Sequence, residues 1–323
     1  MGYELKNGTF TADNGYCEVK WYQFRPVGVA VRAVLVICHG KSEHIMRYRE
    51  FAEYLCENGI AVYGCDHPGH GDSLPENGMR GHFGDKEKTL DTLVENQKTM
   101  ISIVRKKYPH LPLLLFGHSL GSFVVRKYMV THSDTVDGVI ICGTAGNNKK
   151  LGMGVGLYKI LSAILGKKKQ SQKLEDAIFS GYDKHFPDEG VDAWLTKDTD
   201  IRRSYTEDPK SGFVFSVGAT LCMLNTMKEV NTPEWYSMVP QGLPVLLVSG
   251  EDDAVGDFGN GVREVYEGLQ DAEVCMVEMK LYEKDRHNIL HETDREVVFA
   301  DLLAFIEKVS DGVYAMRTYG GLV

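Results

Sequence analysis

Short apolar runs alternate along the chain with segments whose apolar residues recur every three or four positions. The runs lie at 33–38, 60–65, 112–116, 139–142, 244–249 and 274–279. Uninterrupted runs of this length are typical of strands buried on both faces of a parallel sheet. The segments with helical spacing include 47–57, 88–107 and 294–309. Strand and helix in alternation predict a doubly wound α/β fold.

Two regions depart from this alternation. Residues 3–10 and 16–24 alternate polar and apolar positions across Asp13-Asn14-Gly15, which predicts a hairpin at one edge of the sheet. Between 146 and 239 helix-like pieces replace the buried strands, which predicts a helical insertion between the sixth and seventh strands. We therefore assign residues 1–145 and 240–323 to an α/β core and residues 146–239 to the insertion. The residues from Asp311 onward are expected to form a loosely held tail.

The amino-acid composition and charge of the chain argue against several classes of function. A chain of 323 residues with 43% hydrophobic residues can bury a large core, and its net charge of -9 argues against a nucleic-acid partner. The start lacks a signal-peptide pattern, Lys6 disfavours myristoylation, and no apolar run reaches about 18 residues. The seven cysteines are scattered without a C-x-x-C pair, which is typical of reduced thiols in a cytoplasmic protein. The oligomeric state is left open.

The most informative segment is a G-x-S-x-G pattern, Gly117-His118-Ser119-Leu120-Gly121, between a buried strand and a helical pattern. This strand–turn–helix setting predicts a nucleophilic serine at a sharp turn, where only glycine fits two residues to either side. The alternative is an ordinary glycine-rich turn between a strand and a helix. The free N–H groups of the following helix would face negative charge that develops near Ser119.

A serine nucleophile needs a base and an acid that orients it, and in this fold they follow it in the order acid, then histidine. Glu251, Asp252 and Asp253 come directly after the strand at 244–249, and His287 and His291 follow the last strand. The residue pattern alone leaves both choices open. It favours His287 on a loop and His291 on a solvated first helical turn. The histidine pair could also suggest a metal site, but Asn288 stands where a zinc protease requires Glu.

The loop after the third strand, 38–44, is the expected source of oxyanion-stabilising groups. Gly40 allows the backbone to approach a substrate carbonyl, and the backbone N–H groups of Lys41 and Leu120 are the candidate donors. The spacing H-x-x-x-E-H in this loop is one residue too long for an inverted zinc-protease motif. His39 is therefore expected to make structural hydrogen bonds.

Five motifs in this order resemble the monoacylglycerol lipase-like and lysophospholipase-like α/β-hydrolases, a serine aminopeptidase-like family. They are HGKSEHIMRY at 39–48, DHPGHGDS at 66–73, GHSLGS at 117–122, GEDDAVGDFG at 250–259 and DRHNIL at 285–290. The resemblance implies an eight-stranded, mostly parallel sheet with helices on both faces, and it selects Asp253 and His287. It also implies hydrolysis of a monoacylglycerol, lysophospholipid or other acyl ester without metal or cofactor. The chain departs from the family at Ala254, where many relatives have proline, and at Lys41, where the mammalian lipase has a small residue.

In this resemblance the insertion is a cap over Ser119. Its apolar stretch 152–165, followed by three lysines at 167–169, is either a lid that contacts a membrane or acyl chain, or a helix packed on the core. A second apolar set either lines an acyl tunnel or belongs to the core: Phe213, Phe215, Leu221, Met223, Leu224 and Met227. The 66–73 loop, with His67 and His70, is interpreted as a structural turn rather than a metal site.

Three rival functions share these motifs. The first is an esterase for short or aromatic acyl groups. The second is a peptidase, which needs acidic residues in the insertion to hold an amine, for example Glu207, Asp208 or Glu229. The third is a binding protein on a hydrolase scaffold, which would be marked by the loss of a catalytic group. Since Ser119, Asp253 and His287 are all present, the sequence favours an enzyme.

Overall fold

A computed structural model describes residues 2–148, 151–179 and 181–319. It contains an eight-stranded sheet in the order β1-β2-β4-β3-β5-β6-β7-β8. The strands are β1 Tyr3–Thr11, β2 Glu18–Pro26, β3 Ala33–Cys38, β4 Ile60–Cys65, β5 Leu113–His118, β6 Gly138–Cys142, β7 Val245–Gly250 and β8 Val277–Tyr282. The hairpin β1–β2 pairs antiparallel with β4, and the remaining pairs are parallel. The predicted sheet is therefore confirmed.

Helices follow most strands, and several fill the connection between β6 and β7. The helices of the core are α1 Arg49–Glu57, α2 Asp91–Lys107, α3 Leu120–Thr131, α9 Asn260–Asp271 and α10 Arg295–Tyr319. Those of the insertion are α4 Leu151–Leu165, α5 Gln172–Phe179, α6 Thr199–Glu207, α7 Val217–Glu229 and α8 Pro233–Met238. The insertion thus interrupts the sheet between the strands where the sequence predicts it.

The apolar runs form strands because both faces of each central strand are covered. Along β3, Val34 and Val36 belong to the apolar cluster on one face of the sheet, and Leu35 and Ile37 to the cluster on the other. All six residues of β3 are inaccessible to solvent. A side-chain period of two therefore gives an unbroken apolar sequence when each face carries helices.

The parallel strands bring their carboxyl ends to one edge of the sheet. Cys38, His118, Cys142 and Gly250 are the last residues of β3, β5, β6 and β7. The loops that follow these strands start side by side, although they are far apart in the sequence. Lys41, Ser119 and Asp253 follow β3, β5 and β7, and His287 follows β8, the edge neighbour of β7.

Three predictions about the end of the chain are wrong. The last strand begins at Val277 rather than 274, because it pairs in register with Val245 of β7, and Cys275 is exposed before it. As an edge strand, β8 is mostly half-buried. Val297 is exposed although it was assigned to the buried stripe of the last helix. The expected loose tail continues α10 as far as Tyr319, with Val313 buried against the core, and residues 320–323 lie outside the described residues.

Candidate active site

Ser119 occupies the turn between β5 and α3 in a strained conformation. Its backbone φ of 52° and ψ of -116° lie in a region that side-chain-bearing residues rarely adopt. The turn is tight because the two glycines allow close packing. A β-carbon at Gly121 would lie 2.0 Å from the carbonyl oxygen of Cys38, and one at Gly117 would lie 2.4 Å from that of Gly121. The geometry is that of a strained strand-to-helix elbow with a serine at its apex.

His118, directly before Ser119, connects three parts of this region. Its Nδ1 lies 3.2 Å from a carboxylate oxygen of Glu43, and its Nε2 lies 3.2 Å from the backbone oxygen of His287. Both partners are acceptors, so each bond requires an N–H on the ring nitrogen that makes it. The bond to the His287 backbone ties the elbow to the loop that carries the candidate base.

Asp253 and His287 meet at the edge of the sheet. The Nδ1 of His287 lies 3.0 Å from both carboxylate oxygens of Asp253. Asp253 also accepts hydrogen bonds from the hydroxyl of Ser249 and the N–H of Val255, each 2.9 Å long. Burial alone would raise the pKa of Asp253, but the charge of His287 and these hydrogen bonds lower it below its usual value. The pair can therefore hold an anionic carboxylate against an imidazole N–H.

The other candidates for acid and base lie elsewhere. Glu251 and Asp252 are half-buried, whereas Asp253 is inaccessible to solvent and contacts the histidine. His291 ends a short 3-10 turn, and its Nε2 lies 3.0 Å from the backbone oxygen of Arg47. The expectation of a solvated His291 is therefore wrong. Its ring is buried because the turn packs against the segment that precedes α1.

The loop after β3 packs closely against the elbow. A β-carbon at Gly40 would lie 3.3 Å from the Cβ of Ser119, and the N–H of Gly40 donates to Glu43 over 2.6 Å. The carboxylate of Glu43 therefore fixes the position of this loop. Within the portion of the chain that the structure describes, the backbone N–H groups of Lys41 and Leu120 donate to no protein acceptor. For Leu120 this follows from its place at the first turn of α3.

Lys41 contacts the insertion rather than solvent. Its ammonium pairs with the carboxylate of Glu175 on α5, and both side chains are 13% exposed. The same ammonium lies 4.9 Å from the ring centre of Phe179 and 4.5 Å from that of Phe215. Burial lowers the pKa of Lys41, against the opposing charge of Glu175. The long cation is thus neutralised within the protein.

The histidines around the 66–73 loop are structural. His39 accepts a hydrogen bond at Nε2 from the backbone N–H of His67 over 2.9 Å, and the Nδ1 of His70 lies 3.1 Å from the oxygen of Pro68. Burial lowers the pKa of His67 to about 4 and that of His70 well below its usual value. Asp66 binds the N–H groups of Ile45 and Asp72. These bonds shape the turn, as predicted.

The apolar residues of the insertion divide into buried and exposed sets. The set considered for an acyl tunnel packs with the main core cluster: Phe213, Phe215, Leu221, Met223, Leu224 and Met227. Helix α4 buries Leu151, Val155 and Tyr158. Its other side exposes large apolar side chains, namely Met153, Leu157, Ile160 and Ile164. The helix thus has one face packed on the core and one open face, and contact of the open face with a membrane or acyl chain stays a prediction.

Three residues near the site were given no functional role from the sequence. Glu43 lies inside the HGKSEHIMRY motif, and a carboxylate three residues after a loop glycine was a usable signal. His118 is the variable position of G-x-S-x-G, so its pattern carried no signal. Trp194 lies in the insertion, 93 residues before His287 in the sequence, and its ring centre is 5.3 Å from that of His287. Nothing in the local sequence indicated that contact.

The sheet, the elbow and the buried Asp253–His287 pair define an α/β-hydrolase. The chain belongs to the family described as Serine aminopeptidase, S33, whose model matches residues 29–294. This family agrees with the one that the five sequence motifs resemble.

Known proteins of similar sequence and structure point the same way. The chain is 26% identical to the monoacylglycerol lipase of Mycolicibacterium smegmatis, over 85% of this chain and 88% of that protein. It is 28% identical to the monoglyceride lipase homolog of Monkeypox virus, over 89% of this chain and 92% of that protein. The crystal structure of a thermostable carboxyl esterase from Bacillus coagulans superposes with a TM-score of 0.88 at 28% identity, over 96% of this chain and 99% of that one. The predicted fold and enzyme class, a carboxylic-ester hydrolase, are thereby confirmed.

Proposed function

We propose that Ser119, His287 and Asp253 form the catalytic triad of a serine hydrolase that cleaves carboxylic esters of lipid-like substrates. The observation that carries this proposal is the buried Asp253–His287 hydrogen bond beside a serine at a strained elbow. His118 strengthens it, because this neighbour of Ser119 bonds to the backbone of His287. The His291 alternative is disfavoured by the bond of its ring to Arg47.

Each residue has a defined step in the reaction. The hydroxyl oxygen of Ser119 attacks the ester carbonyl carbon while His287 takes the hydroxyl proton. Asp253 holds the imidazole through Nδ1 and stabilises its positive form. The imidazolium then gives the proton to the departing alkoxide, which leaves as the alcohol and an acyl-serine. Water, activated by the same histidine, releases the carboxylic acid and restores the serine.

The oxyanion formed in each half-reaction requires hydrogen-bond donors. We assign this role to the backbone N–H groups of Lys41 and Leu120, whose lack of a protein partner among the described residues supports it. The bond from Gly40 to Glu43 preorganises the first of these donors. Loss of one such donor typically costs about 3 kcal/mol of transition-state stabilisation.

The substrate class follows from the relatives. Two similar proteins carry the names monoacylglycerol lipase and monoglyceride lipase homolog, and a similar solved structure is a carboxyl esterase. We therefore propose a small acyl ester with a medium or long chain, and a short-chain or aromatic-acyl ester as the alternative. The charge of Lys41 already has a partner in Glu175, so Lys41 gives no ground for preferring an anionic substrate.

A peptidase activity is less well supported. Asp208 bonds to His44 and Ser211, and Glu229 pairs with Lys127. Both carboxylates therefore already have partners within the protein and are not free to bind the amine of a peptide substrate. Glu207 is exposed on α6. Hydrolysis of an aminoacyl-p-nitroanilide at a rate comparable to that of a p-nitrophenyl ester would reverse this preference.

The triad is tested by covalent labelling. A fluorophosphonate probe should label the intact chain and Ser122→Ala, whose hydroxyl bonds to the Ser119 carbonyl oxygen, but not Ser119→Ala. His287→Asn and Asp253→Asn should lower kcat by at least about 1000-fold, whereas His291→Gln should keep most of it. Labelling of Ser119→Ala at the wild-type rate would refute the assignment.

The substrate class is tested by a chain-length series. p-Nitrophenyl esters from acetate to palmitate, with 1-monoacylglycerols of the same lengths, give kcat/KM for each acyl group. We expect a maximum at about eight carbons or more, since each buried CH₂ contributes about 0.8 kcal/mol. A maximum at acetate would leave the triad intact and select the short-chain alternative.

The insertion is proposed to act as a cap that contacts a lipid surface through α4. Four large apolar side chains recur on one side of this helix: Met153, Leu157, Ile160 and Ile164, which are 69, 52, 59 and 74% exposed. This spacing of three and four residues makes one continuous row. Among the described residues no helix has the length and apolar character needed to cross a bilayer. An exposed apolar row on a helix is typical of contact with the surface of a membrane.

Vesicle binding tests this surface. The variant Leu157→Ser/Ile160→Ser/Ile164→Ser should lose co-sedimentation with phosphatidylcholine–phosphatidylglycerol vesicles by about tenfold or more. The matched control is Val191→Ser/Val297→Ser, which removes exposed apolar side chains outside α4. Equal binding of the two variants would reject the α4 surface without affecting the triad.

A further inference from the structure

A segment of the insertion, Ala193–Lys197, lies along the loop that carries His287. The N–H of His287 donates to the oxygen of Trp194 over 3.3 Å, and the N–H of Asn288 donates to the oxygen of Leu195 over 2.7 Å. The hydroxyl of Thr196 donates to the oxygen of His291 over 3.0 Å. The loop and the insertion segment are therefore joined by hydrogen bonds on consecutive residues.

Charged side chains stabilise both ends of the contact between the loop and the insertion segment. Arg286 donates to the oxygen of Ala193 over 2.7 Å, and the ammonium of Lys197 lies 2.6 Å from a carboxylate oxygen of Asp285. The N–H of Lys197 donates to the carboxylate of Glu292 over 3.0 Å. Asp285 and Glu292 are both buried, whereas the Lys197 side chain is 27% exposed, so the contact lies at the edge of the buried region. The segment is thus held in one register relative to the loop.

This register places the indole of Trp194 against the imidazole of His287. The ring centres are 5.3 Å apart and the ring planes are inclined by 38°. Two further aromatic rings contact the indole of Trp194. The Phe179 ring is stacked on it, with ring centres 6.0 Å apart and ring planes inclined by 17°, and the centre of the Tyr182 ring lies 5.3 Å away. All three aromatic residues come from the insertion. Their mutual packing restricts the rotation of the indole.

We propose that Trp194 is a positioning residue for the reaction: it fixes the His287 ring and stabilises the imidazolium that forms when His287 takes the proton of Ser119. Among the aromatic side chains, tryptophan attracts a cation within about 6 Å of its ring centre most strongly. The neutral imidazole of the resting enzyme gains less from this contact than the imidazolium does. The indole therefore favours the charged transition state over the ground state. This inference rests on the proposed role of His287 as the base.

Other ionisable groups face His287 and have to be separated from the effect of the indole. Asp253 bonds to Nδ1, and the ring centre of His118 lies 4.9 Å from that of His287, with Glu43 bonded to the far nitrogen of His118. The others are Cys142 and Tyr182 near Asp253, and Asp285, Arg286, Lys197 and Glu292 along the loop. Burial and the charge of Asp253 raise the pKa of Tyr182 to about 12, and burial raises that of Cys142 well above its usual value. Both groups therefore stay neutral through the acidic and neutral pH range. Burial raises the pKa of Asp285 to about 6, so this carboxyl needs its own control.

The first test is spectroscopic and does not depend on activity. An imidazolium next to an indole quenches its fluorescence, and the chain has three tryptophans, Trp21, Trp194 and Trp235. We expect the wild-type emission to fall in a single step as the solution is titrated from mildly alkaline to mildly acidic pH. Trp194→Phe and His287→Asn should both lose this step, while Asp285→Asn and Trp21→Phe keep it. A step that persists in Trp194→Phe or His287→Asn would overturn the proposal.

The second test is kinetic. Trp194→Leu keeps an apolar side chain but removes the aromatic face, and we expect kcat to fall about threefold to tenfold with KM changed by less than about twofold. The acid limb of the kcat/KM profile should move to lower pH by about half a unit, since the protonated base loses stabilisation. Trp194→Phe, which retains a ring, should recover much of kcat. An unchanged kcat in Trp194→Leu, or a change in KM alone, would overturn the proposal.

Different results would contradict the proposed function and the role of Trp194. If Ser119→Ala retains full esterase activity, the proposed function is wrong. If Ser119→Ala is inactive and Trp194→Leu matches the wild type, the function stands and only the role of Trp194 is wrong. Urea denaturation of each Trp194 variant shows whether a loss of kcat reflects a loss of fold.

Discussion

The carboxylate of Glu43 and the imidazole of His118 lie 3.2 Å apart and join the loop after β3 to the elbow that carries Ser119. The same carboxylate oxygen accepts the N–H of Gly40 and the hydroxyl of Tyr48. Burial alone would raise the pKa of Glu43, but the hydrogen bond from His118 and the charge of Arg47 hold it well below its usual range. One buried anion therefore organises both the candidate oxyanion loop and the residue beside the proposed nucleophile.

Replacement of this anion by its neutral isostere should affect activity and stability together. Glu43→Gln retains the size of the side chain but removes the charge that faces His118. We expect kcat/KM for a p-nitrophenyl ester to fall about 10- to 100-fold, and the free energy of unfolding to fall by about 3 kcal/mol. Steady-state kinetics and urea denaturation measure the two effects. The control Glu53→Gln, on the exposed side of α1, should change neither. Wild-type kinetics in Glu43→Gln would contradict this role.

The ion pair between Lys41 and Glu175 should show strong energetic coupling. Each side chain is only 13% exposed, so removal of one partner leaves a poorly solvated charge. We expect Lys41→Met and Glu175→Leu each to destabilise the fold by about 2 kcal/mol, and the double variant to cost less than their sum. Urea denaturation of the four proteins gives the coupling energy. Simple additivity would mean that the pair is effectively solvated, as for the exposed pair Lys6–Glu4.

The pH dependence of stability should reflect the buried histidines. Burial lowers the pKa of His67 to about 4 and that of His291 to about 3, from an ordinary value of 6.5. Between these values and 6.5 the unfolded chain binds the extra protons, so each histidine contributes stability that is present above pH 6.5 and is lost as the pH falls. Asp66 acts in the opposite sense, because burial raises its pKa to about 6 and the folded state holds its proton below that pH.

His291→Gln isolates one of these contributions. Its amide can still donate to the oxygen of Arg47, but it does not titrate. We expect the free energy of unfolding to decline less steeply than in the wild type below about pH 6.5, by about 1 kcal/mol per pH unit. Urea denaturation at closely spaced pH values across the mildly acidic range measures the slope. A slope identical to the wild type would mean that His291 is not neutral in the folded protein.

Arg126 should be among the most sensitive positions of the core. It is inaccessible to solvent, donates to the oxygens of Ala145 and Val230 and to the side chain of Asn231, and stacks on Trp235 at 4.6 Å. These acceptors lie near the two ends of the insertion, so one guanidinium ties both ends to α3.

Loss of that guanidinium leaves several buried acceptors without a donor. We expect Arg126→Met to lower the free energy of unfolding by about 3 kcal/mol or more, and to lower kcat as well, because the insertion carries Trp194. The exposed Arg203→Met should be neutral. Stability and activity close to the wild type in Arg126→Met would show that the insertion is anchored by its apolar contacts alone.

Much of the framework followed from local patterns. The uninterrupted apolar runs identified the central strands, because a strand covered on both faces has no polar side. The elbow around Ser119 could be predicted since its two glycines and its strand–turn–helix setting are local requirements. The edge strand β8 was placed three residues early, because a strand with one neighbour takes its register from pairing with β7 rather than from its own composition.

By itself the sequence determined the sheet, the position of the proposed nucleophile and the order in which the candidate acid and base follow it. The residue pattern left three acids and two histidines open, and the family resemblance selected Asp253 and His287. Only the tertiary structure showed that these two side chains meet, that Glu43 and His118 bond, and that Trp194 packs on His287. The reason is physical. Hydrophobic period and turn chemistry act over a few residues, whereas these contacts join side chains 34, 75 and 93 positions apart, which meet only when strand ends and the insertion are brought to the same edge of the sheet.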